Sequence, residues 1–242
     1  MAKLVQKSGY IKSGKASGYM RYIATREGAE KLAGNGSVTK GQRELIQKLL
    51  TDFPDAVELF EYEDYCKTPT LGTASAFITM ALDANLHGID SESGYMQYIA
   101  TRPRVQKYGS HGLFSSATAV DIASAMSELE AHEGNVWTII YSLRREDAAR
   151  LEYDNADAWR ALLMENAPTL AKSMKISLEN FHWYAAFHDE GNHPHVHMMA
   201  WSAKPNQAYL SKDGIRQIKS TLTNQIFRQE LLHVYEQKSK SR

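Results

Sequence analysis

A chain of 242 residues is long for one small domain and short for two, so one elaborated domain is expected. With 43% hydrophobic residues, 23% charged residues and only 6 Pro, the composition excludes a largely disordered chain. Lys+Arg and Asp+Glu are both 28, and a formal charge of zero advertises neither a nucleic acid nor an acidic membrane as partner.

In chain order, Ala2–Ile11 reads as a short strand, with Leu4 and Val5 among alternating Lys and Gln and with Gly9 and Gly14 bracketing its end. A helix is predicted over Gly18–Leu32, where Tyr19, Tyr22 and Ile23 fall at i, i+3 and i+4, and Gly34-Asn35-Gly36 ends it. Gln42–Leu50 reads as a second helix, and the acidic run Asp52–Asp64 continues helically after Pro54. These form part of a helical acidic insertion around residues 40–90. The segment Gly94–Tyr108 (GYMQYIATRPRVQKY) then nearly repeats Gly18–Leu32 (GYMRYIATREGAEKL), with nine of fifteen positions identical at an offset of 76 residues. Two copies are too few for a solenoid, so they read as a duplicated helical motif within one domain.

Leu113-Phe114 is a short strand and Ala117–His132 a helix with Val120, Ala123, Met126 and Leu129 at helical spacing. Val136–Leu143, β-branched and aromatic, reads as a buried strand. Arg144–Lys175 is helical with a break at Asn166 to Pro168. Phe181–His188 and His195–Trp201 are strands separated by the turn formers Asp189-Glu190-Gly191-Asn192-His193-Pro194, a hairpin pattern. Ile215–Tyr235 is a closing helix.

The zero net charge conceals segregation. Residues 1–50 hold ten Lys/Arg against three Asp/Glu, 51–65 hold none against six, 66–202 ten against sixteen, and 203–242 eight against three. Both ends are basic, which suits a phosphate-rich ligand if the fold joins them. Cys66 is the single cysteine, which excludes an internal disulfide and a Cys-based zinc site and fits a reducing compartment. The N-terminal residues lack the apolar run of a signal peptide, and no stretch approaches the ~18 apolar residues of a membrane span. A soluble, cytoplasmic chain with no membrane insertion is expected.

Nine His occur in the chain, and five of them lie between His182 and His197. His195 and His197 are i and i+2 on a strand and so share a face, roughly 6.5–7 Å apart. His188, at the end of the paired strand, completes a three-His site. Imidazole is the commonest metal ligand near neutral pH, and three protein ligands leave positions open for water or substrate oxygens. His193, in the turn before Pro194, aims poorly at that face and is assigned to contact substrate or to back a ligand. Asp189, adjacent to His188, is placed to accept from a ligand ring and fix its tautomer.

The chain resembles the HUH relaxases, specifically the MOB-P, MobL-like relaxases of conjugative and mobilisable elements in Gram-positive bacteria. The residues that carry the likeness are HDEGNHPHVH (188–197), IIYSLRREDAARLEYDNADAW (139–159), and YIATREGAEKL (22–32) with its second copy. The resemblance implies an α+β fold: a two-layer sandwich with a central, mainly antiparallel sheet covered by helices, occupying 1–242 as the N-terminal catalytic domain of proteins that are often longer. It implies nicking and rejoining of one DNA strand at an origin of transfer by tyrosine transesterification through a 5′-phosphotyrosyl intermediate. It also implies a divalent ion (Mn or Mg first, with Zn, Ni or Co compatible with three His), single-stranded origin DNA as substrate, and an accessory DNA-binding protein and a coupling ATPase as partners. Tyr98 and Tyr22 both match the tyrosine context of the family, Tyr98 being favoured because it lies 90 residues before His188; Tyr19 and Tyr95 are further alternatives. Arg21, Arg26, Arg102, Arg104 and Lys107, with His193, are expected to contact DNA, and Trp137, Trp159, Trp183 and Trp201 to offer stacking surfaces. Three other readings stand beside this one: a rolling-circle replication initiator, a metal-dependent hydrolase of a small substrate, and a DNA-binding protein with a purely structural ion.

Overall fold

The computed structural model describes residues 2–10, 36–85, 92–101, 105–107, 110–117, 119–189 and 193–228, with the side chains of 92–95 and 98 outside that description. Five strands, β1 (Val5–Tyr10), β2 (Leu113–Phe114), β3 (Trp137–Ser142), β4 (Phe181–His188) and β5 (His195–Ser202), form one sheet. Their order is β1-β3-β5-β4-β2, and every pairing is antiparallel. β5 is therefore the middle strand, and all eight of its residues are buried. A strand covered on both faces needs apolar side chains at both parities, and HVHMMAWS supplies them everywhere except at its two histidines and its last serine.

Helices cover both faces. Val196, Met198 and Ala200 point to one side, where they join Ile139, Tyr141, Ala185 and Phe187 in a core closed by Trp159, Leu163, Leu170, Ile218 and Leu222. Those last residues come from α7 (Ala156–Ser173) and α8 (Lys212–Ile226), the chain entering α7 through the short α6 (Arg145–Arg150). Each such aliphatic side chain contributes about 1.5–3 kcal/mol by leaving water. The opposite face carries two further clusters. In one, Val5 and Ile140 pack under α1 (Lys40–Asp52), α2 (Phe60–Lys67) and α3 (Leu71–Asn85). In the other, Leu113, Ala186, Met199 and Trp201 pack under α4 (Glu92–Thr101) and α5 (Ile122–Glu130).

The α+β class and the helix-covered antiparallel sheet agree with the sequence reading; helices on both faces make three layers rather than the expected two, because the sheet is apolar at both parities, and the local departures have physical causes. The acidic run is helical but breaks at Leu59, which is extended between a 3-10 turn at Pro54–Glu58 and α2. The long helical region after β3 is interrupted around residues 151–155, where Glu152 has φ 62 and Asn155 caps α7 by accepting from Ala158 N. The predicted break at Asn166 to Pro168 is absent. The buried stripe of Trp159, Leu162, Leu163, Asn166 and Leu170 runs straight past Pro168, and Asn166 Nδ2 donates to Leu162 O and to Gln225 Oε1 of α8. Packing along the whole length outweighs the one hydrogen bond that proline removes.

α5 starts later than expected, because Asp121 rather than Ala117 opens it, accepting from Ser124 N at 2.8 Å. α4 is described over Glu92–Thr101, and residues 102–104 after it lie outside the described residues. α8 starts earlier than expected, capped by Ser211, and the predicted helix beyond 228 lies outside the described residues, as does Gly18–Leu32.

Candidate metal centre

The β4–β5 register sets His188 directly opposite His195 and puts Ala186 opposite His197. Because side chains alternate along a strand, all three imidazoles rise from one face of two neighbouring central strands. Their ring centroids are 5.2 Å apart for His188–His195, 4.7 Å for His188–His197 and 5.0 Å for His195–His197. Each ring offers one nitrogen to a group whose members all lie within 4.8 Å of one another, and all three residues are fully buried.

Two of the rings have their tautomers set by main-chain carbonyls. His188 Nε2 donates to Ile99 O of α4 at 2.8 Å, and His195 Nδ1 donates to His193 O at 3.1 Å. A carbonyl only accepts, so the bonded nitrogen carries the proton and the other, His188 Nδ1 or His195 Nε2, carries a lone pair. A buried group of three imidazoles whose offered nitrogens lie within 4.8 Å of one another, two of them left with a lone pair by their carbonyl partners, is the donor set of a divalent transition-type ion. The residues present therefore fit such a group.

A polar cluster backs the hairpin turn. His193 is 5% exposed; its Nε2 donates to Asp64 Oδ2 of α2 at 2.7 Å, and its ring stacks on Phe60 with centroids 5.1 Å apart. Arg144, just past β3, donates to Glu63 at 2.8 Å and Asp64 at 3.4 Å, and its guanidinium lies 4.7 Å from the Phe60 ring centre. Lys3 also pairs with Glu63. Burial would raise the Asp64 carboxyl, but the hydrogen bond and charge of His193, and those of Arg144, hold it below the ordinary carboxylate range. Burial pushes the His193 imidazole down, outweighing the pull of Asp64. The pair is thus a neutral imidazole donating to an ionised carboxylate, with Arg144 supplying the positive charge.

The expected site residues divide accordingly. His188, His195 and His197 are brought together. His193 is buried against α2 and does not face outward toward a nucleic acid. Asp189 is 54% exposed at its side chain and pairs with Arg145 Nη1 at 2.5 Å; the acceptors that orient the ligand rings are the carbonyls of Ile99 and His193. Tyr98 lies on α4 immediately before Ile99, so its main chain is one residue from the carbonyl that holds His188. Its side chain, that of Tyr95, and all of Tyr19, Tyr22, Arg21, Arg26, Arg102 and Arg104 lie outside the described residues.

Lys107 is exposed on the segment where Val105 bridges His188 and Gln106 N donates to Phe187 O at 2.9 Å. Trp159, Trp183 and Trp201 are buried, and the half-buried Trp137 donates to Ala208 O at 2.7 Å. The three buried indoles therefore serve as core rather than as stacking surfaces, whereas Trp137 keeps part of its surface exposed beside Tyr10. Sequence reasoning missed Phe60, Asp64 and Arg144, which it counted only as members of a helix and of charge totals.

A family model described as MobL relaxases matches residues 1–242, the entire chain. No curated protein and no solved structure matches it. No described helix is long and apolar enough to cross a membrane.

Proposed function

The chain belongs to the MobL relaxase family, a family of DNA-nicking mobilisation enzymes, and on that premise we propose that it nicks and rejoins one strand at an origin of transfer by metal-assisted tyrosine transesterification. The observation that carries the chemistry is the buried group of His188, His195 and His197 directly beside the helix that bears Tyr98. These three residues would hold a divalent ion, Mn or Mg in the first instance. When bound, it supplies positive charge to the non-bridging oxygens of the scissile phosphate.

The chain's own residues do the rest. Ile99 O and His193 O hold two ligand rings in the tautomers that keep lone pairs toward the site. Tyr98 is the favoured nucleophile and Tyr22 its rival. The phenolic oxygen forms a bond to phosphorus as the bond from phosphorus to the 3′ oxygen breaks, leaving a 5′-phosphotyrosyl link and a free 3′-hydroxyl. The phenol gives up its proton and the leaving 3′ oxygen takes one up, so the step is neutral in protons overall, and the same steps in reverse rejoin the strand. Lys107, with Arg21, Arg26, Arg102 and Arg104, would neutralise flanking phosphates of the single strand. A cytoplasmic setting, an accessory DNA-binding protein and a coupling ATPase complete the proposal, with 1–242 acting as a single nicking domain.

The test is incubation of the chain with Mn²⁺ and single-stranded oligonucleotides tiled across the DNA that adjoins its gene. A denaturation-resistant protein–DNA adduct and a free 3′ end are expected from one oligonucleotide, and neither from His197→Ala. Cleavage without any adduct would replace the transesterase by a metal-dependent hydrolase.

A further inference from the structure

The geometry points to Asp64, held by Arg144 and helped by Phe60, as a positioning residue for the metal centre: it anchors His193 so that the His193 carbonyl fixes the His195 ligand ring. This rests on the metal-site reading above and extends it to a helix 129 residues away in sequence from His193.

Asp64 and Phe60 are four residues apart on α2 and therefore share a helix face. Both meet His193, the carboxylate at its Nε2 and the phenyl ring across its plane. The His193 carbonyl then accepts from His195 Nδ1 at 3.1 Å. The next residue is pinned from the sheet side, since Pro194 O accepts from Leu143 N at 3.3 Å and from Ser142 Oγ at 3.5 Å. Arg144 follows directly after Leu143 and bonds Asp64 itself. The turn that leads into β5 is thus held between the end of β3 and α2, and the carbonyl that orients a ligand belongs to the held residue.

Without Asp64, a buried imidazole N–H loses its acceptor, and the cheapest response is for the turn to move until that group finds water. The carbonyl moves with it, and the His195 ring loses the bond that sets its tautomer. Partners of this kind typically alter metal affinity by about 10–100-fold when removed. A residue that merely stabilised the fold would lower the melting temperature and leave metal affinity where it was.

The experiment uses the full chain stripped with chelator and titrated with Mn²⁺, free ion being counted by electron paramagnetic resonance. Asp64→Ala should raise the Mn²⁺ Kd at least about tenfold, and the Mn²⁺ concentration for half-maximal nicking should rise in parallel, while the rate at saturating Mn²⁺ recovers toward the parent value. Asp64→Asn keeps an oxygen that accepts from His193 but loses the charge, so its Kd should rise only a few-fold. Asp157→Ala, exposed on α7 across the sheet, should leave Kd unchanged.

A Kd within twofold of the parent for Asp64→Ala overturns the proposal. If that variant fails to show a cooperative melt, an unchanged Kd in Asp64→Asn overturns it instead. His195→Ala separates the two levels of argument. If the parent binds no Mn²⁺, or His195→Ala binds as tightly as the parent, the metal-site reading fails and takes this one with it. Loss of binding in His195→Ala alongside unchanged binding in Asp64→Ala rejects only the role of Asp64.

Discussion

Mn²⁺ should stabilise the chelator-stripped protein against heat through His188, His195 and His197, and the size of the shift follows from the structure. A ligand that binds only the folded state at a free concentration of a hundred times Kd contributes about 2.7 kcal/mol. Unfolding 242 residues carries an entropy of about 0.5 kcal/mol per kelvin near 60 °C. The expected rise in Tm is therefore about 5 °C. That figure is an upper value, because the three ligands span only ten residues of sequence and an unfolded H-x6-H-x-H segment keeps some affinity of its own, which subtracts from the shift. The assay is circular dichroism during heating with Mn²⁺ at fixed multiples of Kd. His197→Ala removes one of three donors and should abolish the shift. Equal shifts in parent and variant, or none in the parent, would refute the reasoning.

Tyr98→Phe should eliminate the covalent DNA adduct while Tyr22→Phe retains it, since Phe keeps the ring but has no oxygen to attack phosphorus; mapping the DNA-linked peptide decides between them, and recovery on a Tyr22 peptide reverses the assignment. Gly214→Ala should destabilise the fold by about 1–3 kcal/mol in urea melts, against the usual gain from alanine in a helix, because the new Cβ would lie 2.5 Å from the Ser173 carbonyl oxygen. The Lys7 side chain is only 3% exposed and pairs with Asp55, so Asp55→Ala should cost about 1 kcal/mol by leaving the buried ammonium unpaired. Lys7→Met should be neutral or stabilising, and in the Lys7→Met background the Asp55 change should cost nothing. Lys107→Ala should flatten the dependence of log affinity for single-stranded DNA on log salt by about 0.7, whereas Lys3→Ala, which pairs with Glu63, should leave that slope unchanged in anisotropy titrations.

The three-histidine cluster was legible in the sequence because its rule is local: i and i+2 on a strand, a turn, and a paired partner. Only the register had to be supplied, and six turn-forming residues between His188 and His195 constrain it tightly. α3 was not legible as a helix of its own, because Phe77, Ile78, Met80, Ala81, Leu82 and Ala84 are buried on nearly every side and leave no amphipathic period to read. Pro168 misled for the opposite reason: a strong local breaker was overruled by contacts with α8 that no window along the chain contains. Asp189 was assigned to a ligand ring because it is adjacent in sequence, but alternation points it away from the face that His188 occupies, and it meets Arg145. The residue that does answer the turn histidine, Asp64, belongs to an element whose composition suggested only an excess of negative charge.

That excess has a structural use. Of the six acids in residues 51–65, Asp55 pairs with Lys7, Glu63 with Lys3 and Arg144, Asp64 with Arg144 and His193, and Glu58 approaches Lys219 at 3.9 Å. Lys3, Lys7 and Lys219 come from the two basic ends of the chain, whose charge suits a phosphate-rich ligand if the fold joins them. The ends do converge, but in these three instances on the acidic helices, whose charge they neutralise at the rim of the sheet. Each exposed pair contributes little to stability; their effect is on the field, since an uncompensated row of carboxylates beside the three histidines would repel a phosphate diester at short range. Among the described residues, one cation not engaged by this segment is the exposed Lys107, two residues after Val105, which bridges His188.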